Sequence, residues 1–363
     1  MSWCIVRDPV AMKLVEWEPT VPSLAPEQLS RVLTEFDSYV AQRAVVTGGC
    51  RLLSSSGMPV AVRVLTEETL PKFCNCSPNG EFAFQLAILP GFRSAELRGE
   101  TRVISFGSRF ALMTGEVNEA DVRDALSRIT AFYLPDLGVL PLCGSLTKSH
   151  TDPATTLFLG RPEYRQKLLK AYEQPVVNSN CGLGWSGVGV FPLDPEQNTV
   201  YQHPSNLVYV IADDTGVLPP ISMLTDERAI SYFQGGCHET EPPGIHLYFG
   251  SRSSYRSARS CGAILGRRLE AHRPRCWMLN LGALGGPHGK PIDITMSVAL
   301  LKAALSGTLA KMSFQFDTNF HLLVPVCCPG VPSAILDQRA NWMHPSDYDQ
   351  AAKNAAALLR RIS

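Results

Sequence analysis

The sequence predicts a mixed α/β protein built as two domains. Three observations carry that expectation. Short apolar or alternating runs recur throughout, and segments with apolar residues at helical spacing interrupt them. After Pro135 the texture changes to brief apolar runs divided by loops rich in glycine and proline. The length of 363 residues fits two domains and supplies ample chain for a large core. The boundary is placed near residue 136, giving an N-terminal α/β domain over 1–136 and a second domain over 137–363.

In the first domain, a short apolar stretch and a proline-rich connector lead into a helix over 26–41. Leu29, Val32, Leu33, Phe36 and Tyr39 form its apolar stripe. Residues 60–67 and 82–89 read as strands, and 101–115 as a hairpin turning at Gly107-Ser108. A helix over 119–133 comes next, with Val122, Leu126, Ile129 and Tyr133 on one stripe and Asn118 as its cap. In the second domain GVLPL, ATTLFLG, NLVYVIAD, IHLYFG, WMLNLG and HLLVPV read as strands of a mixed sheet. Two late helices are expected. One covers 293–306 and stops at Gly307; the other covers 346–361, acidic at its start and ending in Arg360 and Arg361.

Composition excludes several classes of function. Hydrophobic residues make up 45 % and charged residues 18 %, which excludes a disordered chain. Thirty-three basic residues balance thirty-three acidic ones, so no cationic field draws the chain onto nucleic acid. No secretory leader and no run of eighteen apolar residues is visible, so no membrane partner is expected. Eleven cysteines spread over a long chain fit reduced thiols better than a disulfide framework, which makes the cytoplasm the expected address.

Local motifs say little about chemistry. The run TTLFLG ending at Gly160 could lead into a phosphate loop. The stretch after it, RPEYRQKLLKAY, has no further glycine, and Pro162 offers no N–H. Cys74-Asn75-Cys76 and Cys327-Cys328 lack the second half of a zinc motif. His238-Glu239 beside His246 is the densest cluster of possible ligands. Cys143 and Cys181 lie after apolar runs and could present a thiol at a strand end or serve the fold alone. Loop 282–290, GALGGPHGK, is either an anion cradle flanked by His288 and Lys290 or a turn needing glycine for geometry.

Taken together, several stretches resemble the ATP-dependent phosphoenolpyruvate carboxykinase family. WMLNLGALGGPHGKPIDI at 277–294 looks like the family's VNTGWTGGPYGVGKRI, and CPGVPSAILDQRANW at 328–342 like CPGVPSEILNPRNTW. SDYDQAAKNAAALL at 346–359 is similar to the closing helix. ADDTGVLPPISMLT at 212–225 resembles TADAFGVLPPVSRLT, and GLGWSGVGVF at 182–191 resembles EHGWSDNGVF. GVLPLCGS at 138–145, MTGEVNE at 113–119 and CIVRDP at 4–9 resemble GVLPLHCS, YAGEMKK and FIVRDP. The similarity runs in order over nearly the whole chain. It implies a two-domain fold with a C-terminal nucleotide-binding domain and a cleft between the domains. The family turns oxaloacetate and ATP into phosphoenolpyruvate, carbon dioxide and ADP with magnesium and manganese.

Carried over position by position, the resemblance implies that the reaction's machinery is substituted. The phosphate loop GLSGTGKTT begins at Gly160, with Gln166 at its lysine and Lys167 at its first threonine. The metal-binding aspartate pair falls on Asn180 and Cys181, the manganese lysine on Glu119 and the manganese histidine on Cys143. The arginine of SRLT is Met223, and that of GKRI is Pro291, after Lys290. The substrate motif FTGRSPKDK would precede residue 1, so the sequence reads as an N-terminally truncated, degenerate member. Neither ATP nor a metal is therefore an expected cofactor. Cysteine in place of hard-metal ligands suits magnesium poorly and a softer metal better. Two functions are expected to compete. One is a pseudoenzyme binding a small carboxylic acid in the cleft or a protein. The other is a repurposed decarboxylase, lyase or isomerase of a specialised pathway, using Cys143, Cys181, His238, Glu119 or Lys167. Residual carboxykinase activity is a third.

Overall fold

The structure, a computed structural model, describes residues 3–15, 22–52, 60–74, 82–148, 155–178, 182–194, 196–197, 199–237, 243–249, 256–286 and 288–362. The chain forms two compact units. The first comprises Met1–Leu137 with Phe191–Val200 and Ser253–Ser257; the second comprises Gly138–Val190, Tyr201–Arg252 and Ala258–Ser363. Two short returns of the later chain thus complete the first unit.

The first unit contains β1 (Trp3–Val6), α1 (Pro9–Leu14), β2 (Ser23–Leu24), α2 (Pro26–Ala41), β3 (Val46–Leu52), β4 (Val60–Thr66) and β5 (Phe84–Ile88). β6 (Arg102–Ser105), β7 (Phe110–Met113) and α3 (Glu119–Tyr133) come after them. Its seven strands make one mixed sheet in the order β2-β1-β6-β7-β5-β4-β3. The expected hairpin is present, with Ile104 opposite Ala111. α2 has its predicted span and buries Leu29, Val32 and Phe36 against Leu89, Phe92, Phe110 and Leu112. α3 also has its predicted span, and the Asn118 side chain accepts the Asp121 N–H. Its buried surface is wider than the predicted stripe. Phe132 is fully buried and stacks on Phe106 at 3.6 Å, because the second half of the helix is covered on more than one side.

Asp8, in the stretch CIVRDP, pins this unit together. Its carboxylate caps α1 through the Ala11 N–H at 2.8 Å. It also accepts the Ser105 hydroxyl at 2.8 Å and the Gly107 N–H at 2.9 Å, fixing the β6–β7 turn. A Cβ on Gly107 would sit 2.7 Å from that carboxyl carbon, so the residue must be glycine for the close approach.

The second unit contains β8 (Leu140–Leu142), β9 (Gly144–Lys148), β10 (Thr155–Leu159), α4 (Pro162–Tyr172), β11 (Val176–Asn178) and β12 (Leu183–Trp185). Beyond β13 (Val190–Pro192), which runs on into the first unit, come β14 (Asn206–Asp213), β15 (Ile221–Leu224), α5 (Asp226–Gly235), β16 (Ile245–His246) and α6 (Ala258–His272). The chain closes with β17 (Arg275–Asn280), β18 (Ala283–Leu284), β19 (Lys290–Pro291), α7 (Ile294–Leu305), β20 (Phe314–Asp317), β21 (Leu322–Pro325) and α8 (Pro345–Ile362). The main sheet runs β11-β9-β10-β14-β17-β15-β21-β20, with β16 paired to β14. β10, β14 and β17 are parallel and their neighbours antiparallel, which is the mixed sheet the sequence predicts. β14 is buried along its whole length. Among its described residues, the run IHLYFG pairs only at Ile245 and His246. Leu247, Tyr248 and Phe249 leave the sheet and are buried as core side chains instead.

No helix among the described residues is long and apolar enough to cross a membrane. Replacing Asp8 by alanine removes a helix cap and two further hydrogen bonds, one of them to a buried hydroxyl. The expected loss is about 2–4 kcal/mol, read as a lower urea midpoint at unchanged slope.

Candidate functional site

In a parallel α/β sheet, ligand-binding groups gather where strands end and helices begin. At the β10–α4 junction the connection is two residues long, Gly160 and Arg161. Gly160 has φ +144°, and a Cβ there would lie 2.3 Å from the Val210 carbonyl oxygen. The glycine therefore serves close packing of neighbouring strands. α4 opens on Pro162, which has no N–H, and no side chain caps it. A phosphate cradle needs a run of free backbone N–H groups around the anion, and this junction does not fit one.

The space beside the junction is taken by Arg165. On the placement of the phosphate loop that the resemblance implies, starting at Gly160, Arg165 stands at the glycine just before the family's lysine. Helical spacing gives Arg165, Leu168 and Leu169 one buried face, so Gln166 and Lys167 lie on the exposed side of α4. Arg165 is only 6 % exposed. Its Nε donates to the Gly160 carbonyl at 2.7 Å, and its terminal nitrogens donate to Ser145 Oγ and, at 3.6 Å, to Cys143 Sγ. No carboxylate among the described residues pairs with it. The Cys143 thiol is half-buried between β8 and β9 and also points a donor at the Gly160 carbonyl, at 3.7 Å. The structure therefore joins Gly160, Cys143, Ser145 and Arg165. Sequence reasoning missed Arg165, although an arginine at a glycine position was a legible signal.

Met223 and Lys290 of the second unit are not among the hydrogen-bond partners of this group. Glu119 opens α3 in the first unit, where its exposed carboxylate pairs with Arg123 at 2.7 Å. Arg123 also pairs with Asp194 at 2.8 Å and Glu196 at 2.6 Å, so Glu119 takes part in a surface charge network. Met223 is half-buried on β15 and packs against the apolar cluster that includes Trp277 and Leu279. Lys290 and Pro291 form the exposed strand β19, and His288 is exposed beside them. Asn180, Cys181, His238 and Glu239 lie outside the described residues. His246 Nε2 lies 3.4 Å from Asp214 Oδ2. Of the two cysteine pairs, Cys74 and Cys328 are buried and Cys327 is exposed, while Asn75 and Cys76 lie outside the described residues. No group of three or more potential metal ligands occurs among the described residues.

The glycine-rich loop 282–290 serves geometry. A Cβ on Gly282 would lie 2.1 Å from the Asp213 carbonyl, and one on Gly286 would meet the Trp342 ring at 3.1 Å. The turn it packs on is built around Asp213, which is wholly buried. One carboxylate oxygen accepts from the Thr215 N–H and hydroxyl, the other from the Val217 and Leu218 N–H groups at 2.8 and 2.7 Å. Burial outweighs these bonds and raises the Asp213 pKa. Asn280 ties the turn to β17, accepting from the Asp213 and Gly282 N–H groups and donating to the Leu218 carbonyl. Trp342 Nε1 donates to the Gly216 carbonyl at 3.0 Å.

Trp185, the buried tryptophan of GLGWSGVGVF, donates through Nε1 to His203 Nδ1 at 3.1 Å. Neutral His203 therefore carries its proton on Nε2. It stacks on His272 with ring centroids 3.4 Å apart. Burial first, then His272, holds the His203 pKa down; burial and Arg268 do the same for His272. Each ring thus binds fewer protons folded than unfolded. Their contribution to stability is present above the ordinary value of 6.5 and is lost as pH falls through it towards the depressed values. Chemical denaturation at about pH 7.5 and about pH 5.5 should show lower stability at the acid pH. A His203→Gln, His272→Gln double variant should lose much of that difference.

A family model described as phosphoenolpyruvate carboxykinase matches residues 189–334. A phosphoenolpyruvate carboxykinase (ATP) of Caldanaerobacter subterraneus subsp. tengcongensis is 35 % identical over 445 aligned positions, covering 97 % of this chain and 84 % of the relative. Those of Thermus thermophilus and Afipia carboxidovorans are each 25 % identical. They cover 98 % of this chain and 85 % and 83 % of their own lengths. The 445-position alignment is longer than the chain, so that relative carries segments without a counterpart here.

Proposed function

We propose that this chain, which belongs to the ATP-dependent phosphoenolpyruvate carboxykinase family, keeps the family's framework but no longer carries out ATP- and metal-dependent phosphoryl transfer. The observation that supports this reading most is the β10–α4 junction, where a buried arginine side chain fills the place of a glycine. Phosphoryl transfer depends on positioned cations and backbone donors around the phosphates. Each such group removed costs on the order of 3 kcal/mol of transition-state stabilisation. Here the lysine position is Gln166, facing solvent, and the arginine of SRLT is Met223, packed on the core. The protein acts instead by binding, with a small carboxylic acid or a protein as its partner. Its address is the cytoplasm, a reading supported by eleven cysteines and by no disulfide between two described cysteines.

A second reading, a repurposed lyase or decarboxylase, is favoured by one observation: the half-buried Cys143 thiol lies 3.6 Å from a guanidinium. An arginine beside a cysteine recurs at reactive thiols.

Calorimetry with MgATP is expected to detect no binding tighter than about 1 mM. Oxaloacetate and ATP should yield no phosphoenolpyruvate. Micromolar nucleotide affinity, or turnover to phosphoenolpyruvate, refutes the loss of phosphoryl transfer. Iodoacetamide separates the two readings: slow alkylation of Cys143 at neutral pH fits the binding protein, and alkylation much faster than for the exposed Cys327 fits the enzyme.

A further inference from the structure

A cavity of about 300 Å³ opens in the second unit between α5, α8 and the β20–β21 turn. On α5 its wall is Arg228, Ser231, Tyr232 and Gly235, spaced three and four apart, so they share one helix face. On α8 the wall is Ala356, Leu359 and Arg360. Leu247 and Phe320 complete an apolar floor, and both are buried. The volume stands at the small end of the range for small-molecule sites, about 300–1,000 Å³.

The rim differs from the floor. Arg228 and Arg360 both line the cavity, and neither guanidinium makes an ion pair or hydrogen bond among the described residues. His321 lies beside them, held in the left-handed region at φ +55°. Ser231 and Asn319 add a hydroxyl and an amide whose side chains also make no hydrogen bond among the described residues. Among the described residues, no acidic one lines the cavity. An apolar floor flanked by Tyr232 and Phe320, under a rim with two guanidiniums that have no ion-pair partner among the described residues, matches an anion that carries a compact aromatic body. Guanidinium prefers planar carboxylates, which it holds through two parallel hydrogen bonds.

We infer that this cavity is a binding site for a small arylcarboxylate, the ring on Tyr232, Phe320 and Leu359 and the carboxylate at Arg228 and Arg360. The site shares no residue with the β10–α4 junction, so it stands or falls independently of nucleotide binding.

Titration calorimetry on the full chain with 3-phenylpropionate, and with 3-phenylpropanol as the uncharged control, tests the inference. The acid is expected to bind with a dissociation constant below about 1 mM, and the alcohol roughly tenfold or more weakly. An Arg228→Gln, Arg360→Gln variant should lose the preference for the acid. Ser231→Trp, which fills the cavity from a half-exposed position on α5, should abolish binding of both. Thermal unfolding verifies that each variant folds. Equal affinity for acid and alcohol, no binding of the acid to the unmodified protein, or undiminished binding by folded Ser231→Trp overturns the inference.

Discussion

The Asp213 carboxylate is the constraint on which the second unit is built. It has no exposed surface and no ion-pair partner among the described residues, and its oxygens are met by backbone N–H groups and one hydroxyl. Such an arrangement is stable only if every donor stays in place, because an unpaired buried carboxylate would cost several kcal/mol. The turn after β14 therefore has one conformation. Asn280 transmits it to β17, Trp342 closes over it, and the Tyr348 hydroxyl reaches the Val217 carbonyl from α8.

This linkage explains which stretches of the family pattern persist. The segments 212–225, 277–294, 328–342 and 346–359 are distant in sequence, yet all meet around that turn. Each supplies a contact the others need: Asp213 its acceptors, Gly282 and Gly286 the room for close approach, Trp342 a lid, Tyr348 a strut. Substitution at Asp213, Trp342 or Tyr348 would remove a hydrogen bond, and a Cβ at Gly282 or Gly286 would collide with its neighbour. The positions that the resemblance assigns to nucleotide or metal carry no such penalty. Met223 gains apolar contact, Gln166 and Lys167 face solvent, and Glu119 joins the Arg123 charge network.

Arg165 shows how a substitution can be absorbed. A glycine there would leave a space beside the Gly160 carbonyl, Ser145 and Cys143; the arginine fills it and satisfies all three. The cation is buried without a carboxylate among the described residues, a costly placement offset by its hydrogen bonds.

Several features were settled by sequence alone. α2 and α3 could be delimited because a regular apolar spacing meets a proline start in one and an Asn118 cap in the other, both local effects. β14 was visible as the apolar run LVYVIA between Asn206 and Asp213. α5 and α6 were not foreseen. α5 is only ten residues long, and α6 carries Gly262 and Gly266, whose weak helix propensity hides it. Both persist because their apolar faces are buried, with Phe233 and Leu265 fully enclosed. The family was equally legible, since matching motifs need no coordinates. What a substituted residue does in its new place was decided by tertiary structure, because it depends on which distant atoms surround it. Arg165 turning inward while Gln166 and Lys167 turn out, the stacking of His203 on His272, and the convergence of Arg228 with Arg360 are all contacts between elements, and no local spacing encodes them.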